Sequence, residues 1–171
     1  MVLDAASILL EQRQSTIKFV FAGDGFEKDS LMQRAKQEEL QNCIFLDPIP
    51  KIKLRALMQR ADIGLVIFAD KEAFRYGTSP NKFFDYIASG LPILVNHPGW
   101  VKDLIIEEQA GVFSSPGDAS EMAAKLISMS ELSVDQLNSF GKNSLQLANN
   151  RFDRKTLTQQ FVKIVIESAD D

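Results

Sequence analysis

Cysteine, histidine and tryptophan are almost absent from this sequence of 171 residues, which contains one of each. A single cysteine, Cys43, excludes an intrachain disulfide and a cysteine-rich metal site, and we expect it to be a small buried hydrophobe that opens a strand. A single histidine, His97, has no matching Ser or Cys arrangement, which argues against a catalytic triad. No cluster of His, Cys and carboxylates has ligand spacing, so the sequence predicts no metal site.

Excess charge and long apolar runs are also absent. The net charge of −4 does not favour nucleic-acid binding, which calls for a strongly basic face. The longest apolar run, IGLVIFA at 63–69, is far shorter than the ~18 residues of a membrane span. The N-terminus has an acidic Asp4 and no basic segment, so we predict no signal peptide and expect a cytoplasmic protein.

Short apolar runs alternate with longer helical patterns along one domain, residues 1–171, without linkers or repeats. The strand candidates are continuous apolar segments, typical of strands covered on both faces: 17–22, 43–46, 63–68, 92–96 and 111–113. A helical pattern begins at residue 2, and further helices are predicted at 26–41, 51–61, 80–89, 100–109, 119–129, 134–148 and 154–168. This alternation predicts a doubly wound, mostly parallel α/β sheet with additional C-terminal helices.

Capping chemistry marks the predicted helix boundaries. Pro50 and Pro80 suit first helical positions, with Ser79 as an N-cap, and Gly90 and Gly111 suit C-terminal caps with positive φ. Capping-box spacing and a further N-cap occur later in the chain, at Asp118 with Glu121, Ser133 with Gln136, and Asp153. The last predicted helix has an apolar stripe of Leu157, Phe161, Ile164 and Val165.

The amino-terminal segment lacks the strand with which a domain of this class normally begins, since the first strand pattern starts only at Ile17. We therefore expect a fragment of a larger protein. Loss of the first strand from the order 3-2-1-4-5-6 would leave the strand at 17–22 beside a gap with unpaired backbone groups. Such an edge predicts self-association.

The segment RYGTSPNKFFDYIASGLPIL at 75–94 has the features of an anion site. Free N–H groups are expected near 79–82 at the start of a helix, where Lys82 would neutralise phosphate and Asp85 would accept two hydrogen bonds from a ribose diol. The helical period places four residues on the sheet side, namely Phe83, Phe84, Ile87 and Ala88. It places four on the opposite side, namely Lys82, Asp85, Tyr86 and Ser89. The alternative is an ordinary ion pair between Lys82 and Asp85 on an amphipathic helix.

The same segment resembles the donor-binding motif of GT-B retaining glycosyltransferases of the family 4 type. AGDG at 22–25, DIGLVIFA at 62–69, HPGWVKDLI at 97–105 and AGVF at 110–113 resemble further elements of that family, in the same order. The resemblance spans roughly residues 2–165, places Asp103 on an acidic position, and implies the Rossmann-like donor half of such an enzyme.

The resemblance implies a role for several groups of residues. Asp85 would bind the donor ribose, and the diphosphate would lie at Thr78, Ser79, Asn81 and Lys82. The donor sugar would lie near Gly77, His97 and Gly99. The strand-end loop is Gly23, Asp24 and Gly25, which is a sharp turn in most proteins, and the base loop is Pro48, Ile49 and Pro50, which is otherwise a rigid turn. We expect Trp100 to pack at a helix start rather than to stack on a sugar.

Two departures from the family pattern affect the predicted site. Gly77 stands where the first carboxylate of a carboxylate-x7-carboxylate pair is expected, and Glu72 is a weaker candidate to replace it. The family's Gly-rich loop, with the Arg and Lys that hold the diphosphate, has no counterpart, nor has its N-terminal acceptor domain. No catalytic residue is identified, and neither a cofactor nor a metal is expected.

The implied function is binding of a nucleotide sugar, with a UDP-sugar favoured, in a bacterial polysaccharide-biosynthesis transferase. The full-length enzyme would transfer a hexosyl group to a cell-surface polysaccharide or lipid-linked acceptor at the inner face of the membrane, whereas the fragment would bind weakly and transfer nothing. One alternative is another GT-B enzyme such as a UDP-N-acetylglucosamine 2-epimerase. A second is a non-catalytic phosphate- or partner-binding module of the receiver type.

Overall fold

The structure, which is a computed structural model, describes residues 1–14, 16–71 and 78–168. The strands of this part of the chain are β1 (Phe19–Ala22), β2 (Cys43–Leu46), β3 (Gly64–Val66), β4 (Ile93–Val95) and β5 (Gly111–Phe113). Its helices are α1 (Val2–Glu11), α2 (Lys28–Gln37), α3 (Lys51–Met58), α4 (Asn81–Ala88), α5 (Trp100–Glu107), α6 (Ala119–Ser130), α7 (Val134–Arg151) and α8 (Arg154–Glu167). Every predicted strand and helix is present, although several are shorter at their ends than predicted.

The strands form two parallel sheets, one of β1 and β2 and the other in the order β3-β4-β5. Phe19 lies opposite Cys43 in the first sheet, and Ile93 lies between Gly64 and Gly111 in the second. Parallel neighbours need a crossover connection, and helices supply it between successive strands. The predicted class, a parallel α/β fold, is therefore confirmed.

The outer edges of β1 and β3 pair with no strand in residues 1–14, 16–71 and 78–168. The N–H of Phe19 donates to the Asn42 carbonyl at 2.7 Å, and the N–H of Gly64 donates to the Pro92 carbonyl at 2.8 Å. Because the backbone groups of a strand alternate between its two edges, those of Val20 and Leu65 point away from the paired strands. The split sheet agrees with the predicted gap beside the strand expected at 17–22.

Two apolar clusters cover opposite faces of the strands. The first cluster packs α1 and α6 on both sheets, with buried members that include Leu3, Leu9, Phe19, Leu94 and Leu126. The second packs α4, α5 and α7 on the three-stranded sheet, with buried members that include Val66, Phe83, Ile93, Ile105 and Leu147. Successive side chains of β4 point to opposite faces, which places Leu94 in one cluster and Ile93 in the other.

Most predicted caps are confirmed. Asp118 accepts from the Glu121 N–H at 2.8 Å, Asp153 caps α8, and Ser133 closes a full capping box with Gln136. Asp118 and Glu121 do not form a full capping box, because the Glu121 carboxylate accepts from the Ser115 N–H at 2.7 Å instead. Gly90 has the positive φ, 70°, expected of a residue that follows the end of α4.

Four residues predicted at helix boundaries have other positions in the structure. Pro50 and Pro80 are the N-caps of α3 and α4 rather than their first helical residues, so Ser79 caps nothing. Gly111 opens β5, and the positive φ after α5 belongs to Gln109, at 49°. Gly111 is required for a different reason, since a β-carbon there would collide with the backbone of β4.

The predicted apolar stripe of α8 is exposed. Leu157, Phe161, Ile164 and Val165 are among the exposed large hydrophobic residues, and α8 contributes no buried residue to the part of the chain that the structure describes. The helix is therefore defined by its own backbone and its Asp153 cap rather than by packing.

Candidate functional site

A cavity of about 530 Å³ lies between the loop after β2 and the first turns of α3 and α4. Its lining is Ile49, Lys51, Leu54, Asn81, Phe84 and Asp85. Loops that follow strands lie at the carboxyl ends of a parallel sheet, where α/β domains bind their ligands. The cavity therefore brings the predicted base loop, through Ile49, together with the predicted ribose and diphosphate residues Asp85 and Asn81.

The amphipathic-helix alternative requires an ion pair between Lys82 and Asp85, and the structure has no such pair. The Asp85 carboxylate instead lies 3.7 Å from the ammonium group of Lys51, at the start of α3. Lys51 and Lys53 both stand in the first turn of α3, which itself contains no acidic residue. Cations are unfavourable near the positive end of a helix, so the Asp85 carboxylate across the cavity is what offsets the charge of Lys51.

The first turn of α4 presents free donors. The Pro80 carbonyl accepts from the Phe83 N–H at 3.0 Å, and within the described residues the N–H groups of Asn81 and Lys82 have no acceptor. Together with the helix dipole, such groups favour an anion. Lys82 and Ser79 are exposed, and neither lines the cavity.

The predicted faces of α4 are partly correct. Phe83 and Ile87 are fully buried in the second cluster, whereas Ala88 is exposed and Phe84 lines the cavity. Tyr86 was predicted on the outer face but is half-buried, because its ring packs against the backbone of Gly64, which has no side chain. Burial, and secondly the charge of its neighbour Asp85, raises the pKa of Tyr86.

Trp100 links α5 to the loop before α4. Its indole N–H donates to the Thr78 carbonyl at 2.9 Å, and its ring lies within 6.3 Å of the rings of Phe83, Phe84 and Phe152, measured between centroids. The predicted packing of Trp100 at a helix start is therefore confirmed. The hydrogen bond also shows where Thr78, one of the predicted diphosphate residues, is held.

His97 is buried in the turn after β4. Its side chain is 4% exposed and packs on the ring of Phe68 at 5.0 Å between centroids. Burial lowers the pKa of His97, so the imidazole is neutral at neutral pH. Asn96 beside it both accepts from and donates to the Phe68 backbone, which joins the ends of β3 and β4. Gly99 is the N-cap of α5, with φ 119°.

The other predicted site residues are separate from the cavity. Gly23, Asp24 and Gly25 form a turn after β1 in which the Asp24 carboxylate accepts from the Gly25 N–H at 2.9 Å, and none of them lines the cavity. Pro48 and Pro50 flank Ile49 in the chain but do not line the cavity. Gly77 and Glu72, the two positions considered for a donor-sugar contact, lie outside the described residues.

Sequence reasoning missed Lys51, Leu54 and Phe84 in the cavity. Lys51 and Leu54 are three residues apart on one face of α3, directly after the base loop. The signal for Lys51 is its place beside Lys53 in a first helical turn, where both oppose the helix dipole, whereas Leu54 has no such signal. Phe84 was assigned to the sheet side, and no pattern in α4 alone distinguishes a residue that faces the sheet from one that borders a cavity.

Metal ligands and membrane spans are not found among the described residues. No group of three or more His, Cys, Asp or Glu side chains in residues 1–14, 16–71 and 78–168 is placed to hold a metal ion. Over the same ranges, no helix has the length and apolar content needed to cross a membrane.

A parallel α/β arrangement with a polar cavity at the carboxyl ends of its strands defines a doubly wound ligand-binding domain. The family profile described as glycosyl transferases group 1 matches residues 1–146, and the chain belongs to that family. No curated protein matches the chain.

Solved structures share the fold at low sequence identity. HepE from Anabaena, solved in complex with UDP and glucose, is 21% identical with a TM-score of 0.76, over 96% of this chain and 43% of that one. Sucrose-phosphate synthase from Thermosynechococcus elongatus is 15% identical with a TM-score of 0.78, over 97% and 42%. The pneumococcal O-GlcNAc transferase GtfA, with UDP and GlcNAc, is 18% identical with a TM-score of 0.75, over 99% and 33%. The chain spans less than half the length of these structures.

Proposed function

We propose that this chain binds the nucleoside diphosphate part of a sugar donor, with UDP as the preferred nucleotide. The observation that carries the proposal is the cavity in which Ile49, Asn81 and Asp85 meet. Ile49, Leu54 and Phe84 offer an apolar wall to a base, Asp85 offers a carboxylate to the ribose hydroxyls, and the free N–H groups of α4 offer donors to phosphate. HepE and GtfA, which share the fold, were solved with UDP.

We propose more specifically that the full-length protein is a retaining hexosyltransferase of the family 4 type from a bacterial polysaccharide pathway. It would act from the cytoplasm at the inner face of the membrane. A departing nucleoside diphosphate needs stabilisation of its charge, and positioned N–H groups with Lys82 supply it without a metal. Acceptor binding would belong to a further domain. We therefore expect the isolated chain to bind UDP weakly in the presence of a chelator and to transfer no sugar.

Calorimetry with UDP and with UDP-, GDP- and ADP-sugars tests the proposal. Asp85→Asn leaves a side chain of the same shape but removes the charge that strengthens the ribose hydrogen bonds, so affinity for UDP should fall about tenfold or more. Asp62→Asn is the matched control, because Asp62 is exposed at the amino end of β3, away from the cavity. It should bind UDP as the unchanged protein does.

Three results would contradict the proposal. They are the absence of UDP binding, equal affinity in the Asp85→Asn variant, and binding of acetyl phosphate with Mg²⁺ in place of nucleotides. The last result would favour a receiver-type module. Sugar transfer by the isolated chain would contradict only the expectation that it is inactive.

A further inference from the structure

Two oppositely charged side chains from different helices line the cavity and lie close to each other. They are Lys51 of α3 and Asp85 of α4, and the Lys51 ammonium lies 3.7 Å from a carboxylate oxygen of Asp85. The proposed function gives a role to Asp85 and none to Lys51. The few polar groups that line a ligand cavity fix the orientation and the specificity of the ligand, so Lys51 is a candidate for such a role.

The stability of α3 does not explain a lysine at this position. Lys51 is the first residue of α3, and a cation in the first turn opposes the helix dipole. Its side chain is 88% exposed, and an ion pair as exposed as this one contributes little to folding. The charge of Lys51 therefore does little for the folded chain, but it lies beside the carboxylate proposed to bind ribose.

The packing of α3 beside α4 brings the two charged residues together. Farther along both helices, the hydroxyl of Ser89 lies 3.6 Å from the sulfur of Met58. Met58 follows Lys51 by about two turns of α3, and Ser89 follows Asp85 by about one turn of α4. The two contacts therefore run along one face of each helix. The side chains of Lys51 and Asp85 start from surfaces that also meet at a second point.

The distance between the two charged groups leaves both of them able to bind a hydroxyl. Hydrogen bonds between an ammonium and a carboxylate are about 2.7–2.9 Å long, so 3.7 Å is an ionic contact without a hydrogen bond. Within the described ranges, neither the ammonium nor the carboxylate takes part in a hydrogen bond. A carboxylate accepts and an ammonium donates, whereas a hydroxyl does both. A ribose hydroxyl that donates to Asp85 can therefore accept from Lys51 at the same time.

Lys51 is better placed for this contact than the other polar residue of the cavity. Lys51, Asn81 and Asp85 are the polar side chains of the lining. Asn81 is the first residue of α4, where the proposed diphosphate donors lie, whereas the Lys51 ammonium lies next to the Asp85 carboxylate. A hydroxyl that leaves water and finds no donor in the cavity loses a hydrogen bond. Lys51 supplies the donor that water supplied before binding.

We propose that Lys51 is a second ribose-binding residue and that, together with Asp85, it selects a nucleotide with intact 2′- and 3′-hydroxyls. Lys51 donates to a hydroxyl oxygen whose proton is donated to Asp85. The inference rests on the proposed function, since it requires that a nucleoside diphosphate occupies the cavity.

Comparison of UDP with 2′,3′-dideoxy-UDP tests the inference, because the two ligands have the same base and diphosphate and differ only in the hydroxyls. The measurement is the ratio of the two affinities, obtained by NMR titration. Lys51→Met keeps an unbranched apolar stem and removes the donor, so the ratio should fall about three- to tenfold, the effect of one hydrogen bond. The melting temperature should not change, because the side chain is exposed.

Lys53→Met is the matched control. Lys53 is an exposed lysine in the same first turn of α3, and it does not line the cavity. The substitution removes the same charge from the same end of the helix, so a general effect of charge on the diphosphate appears in both variants. The affinity ratio of Lys53→Met should equal that of the unchanged protein.

The outcomes separate this inference from the proposed function. Absence of UDP binding by the unchanged protein would overturn both, and equal affinity for the two ligands would overturn the inference together with the ribose contact of Asp85. UDP binding that depends on Asp85, with an unaltered ratio in Lys51→Met, would overturn the inference alone. So would an equal fall of the ratio in Lys53→Met. A fall of the ratio confined to Lys51→Met supports the inference.

Discussion

At the scale of single residues, His97 stands apart because it is the one histidine and is almost fully buried, with its ring on that of Phe68. Burial lowers its pKa in the folded protein, while the unfolded chain keeps the ordinary value of about 6.5. Below that pH the unfolded state binds more protons than the folded state, so protonation favours unfolding.

The first prediction concerns the pH dependence of stability. The contribution of His97 should be complete above about pH 7 and should be lost as pH falls below about 6.5 and through the lowered folded pKa. Chemical denaturation at pH 7.5 and pH 5.5 should show this loss, and His97→Gln should remove it from that window. Asp4 and Glu121 do not interfere, because their pKa values are lowered from already acidic ordinary values. Equal pH dependence in both proteins would mean that the imidazole is not held neutral.

Residue-scale prediction from sequence succeeded where the chemistry is local. Ser133 and Asp153 cap their helices as their spacing predicts, because a cap needs only an oxygen and an N–H three residues later. Prediction failed for Gly111, whose requirement comes from the backbone of β4 across the sheet. A neighbour distant in sequence leaves no local signal.

At the scale of elements, helix α7 lies against the backbone that follows α4 at two glycines, Gly141 and Gly90. A β-carbon on Gly141 would collide with the Gly90 carbonyl and would lie 3.6 Å from Pro92. Gly141 is buried in the interior of α7, where a glycine otherwise weakens a helix. The close contact explains why the weaker helix former is present.

The second prediction is a reversal of the usual effect of alanine. In an exposed helix, glycine to alanine stabilises by about 1 kcal/mol. Gly141→Ala should instead destabilise by about 1–3 kcal/mol, because α7 must move away from the Gly90 carbonyl. Urea denaturation measures the change, with Ser139→Ala, at an exposed position of the same helix, as a control expected to change little. Stabilisation by Gly141→Ala would show that Gly141 does not lie against the Gly90 carbonyl.

Element types could be predicted from the sequence more fully than the contacts between them. The strands at 43–46 and 111–113 have the predicted bounds, since apolar period and flanking turns are local properties. The cavity was predicted in part: the base loop and Asp85 were assigned to one ligand, but Lys51 was not, because its approach to Asp85 depends on how α3 packs beside α4. Such packing is not encoded in either helix alone.

At the scale of the whole molecule, the main departure from a complete doubly wound fold is that the strands form two separate sheets rather than one. The edge of β1 carries Val20, whose side chain is 48% exposed, and the backbone groups of Val20 and Leu65 point away from their paired strands. Exposed strand edges are templates for pairing with another chain. The expected self-association stays a prediction.

The third prediction concerns hydrogen exchange along these edges. In dilute protein, the amides of Val20 and Leu65 should exchange faster than those of Phe19 and Gly64, which donate to neighbouring segments. As the protein concentration rises, protection at Val20 should increase and light scattering should show a larger species. Uniform protection in a monomer would mean that the edges are covered within one chain, and a clean monomer at high concentration would count against self-association.

The first cluster has a further consequence for a chain made on a ribosome. Leu3 and Leu9 of α1 are buried beside Leu126 of α6, yet α6 follows all of β1 to β5 in the sequence. The apolar side of α1 is therefore made before its partner helix, which is synthesised only after all five of these strands. During that interval it is a surface on which nascent chains aggregate or bind chaperones, so synthesis rate and chaperone supply bear on the yield of this protein.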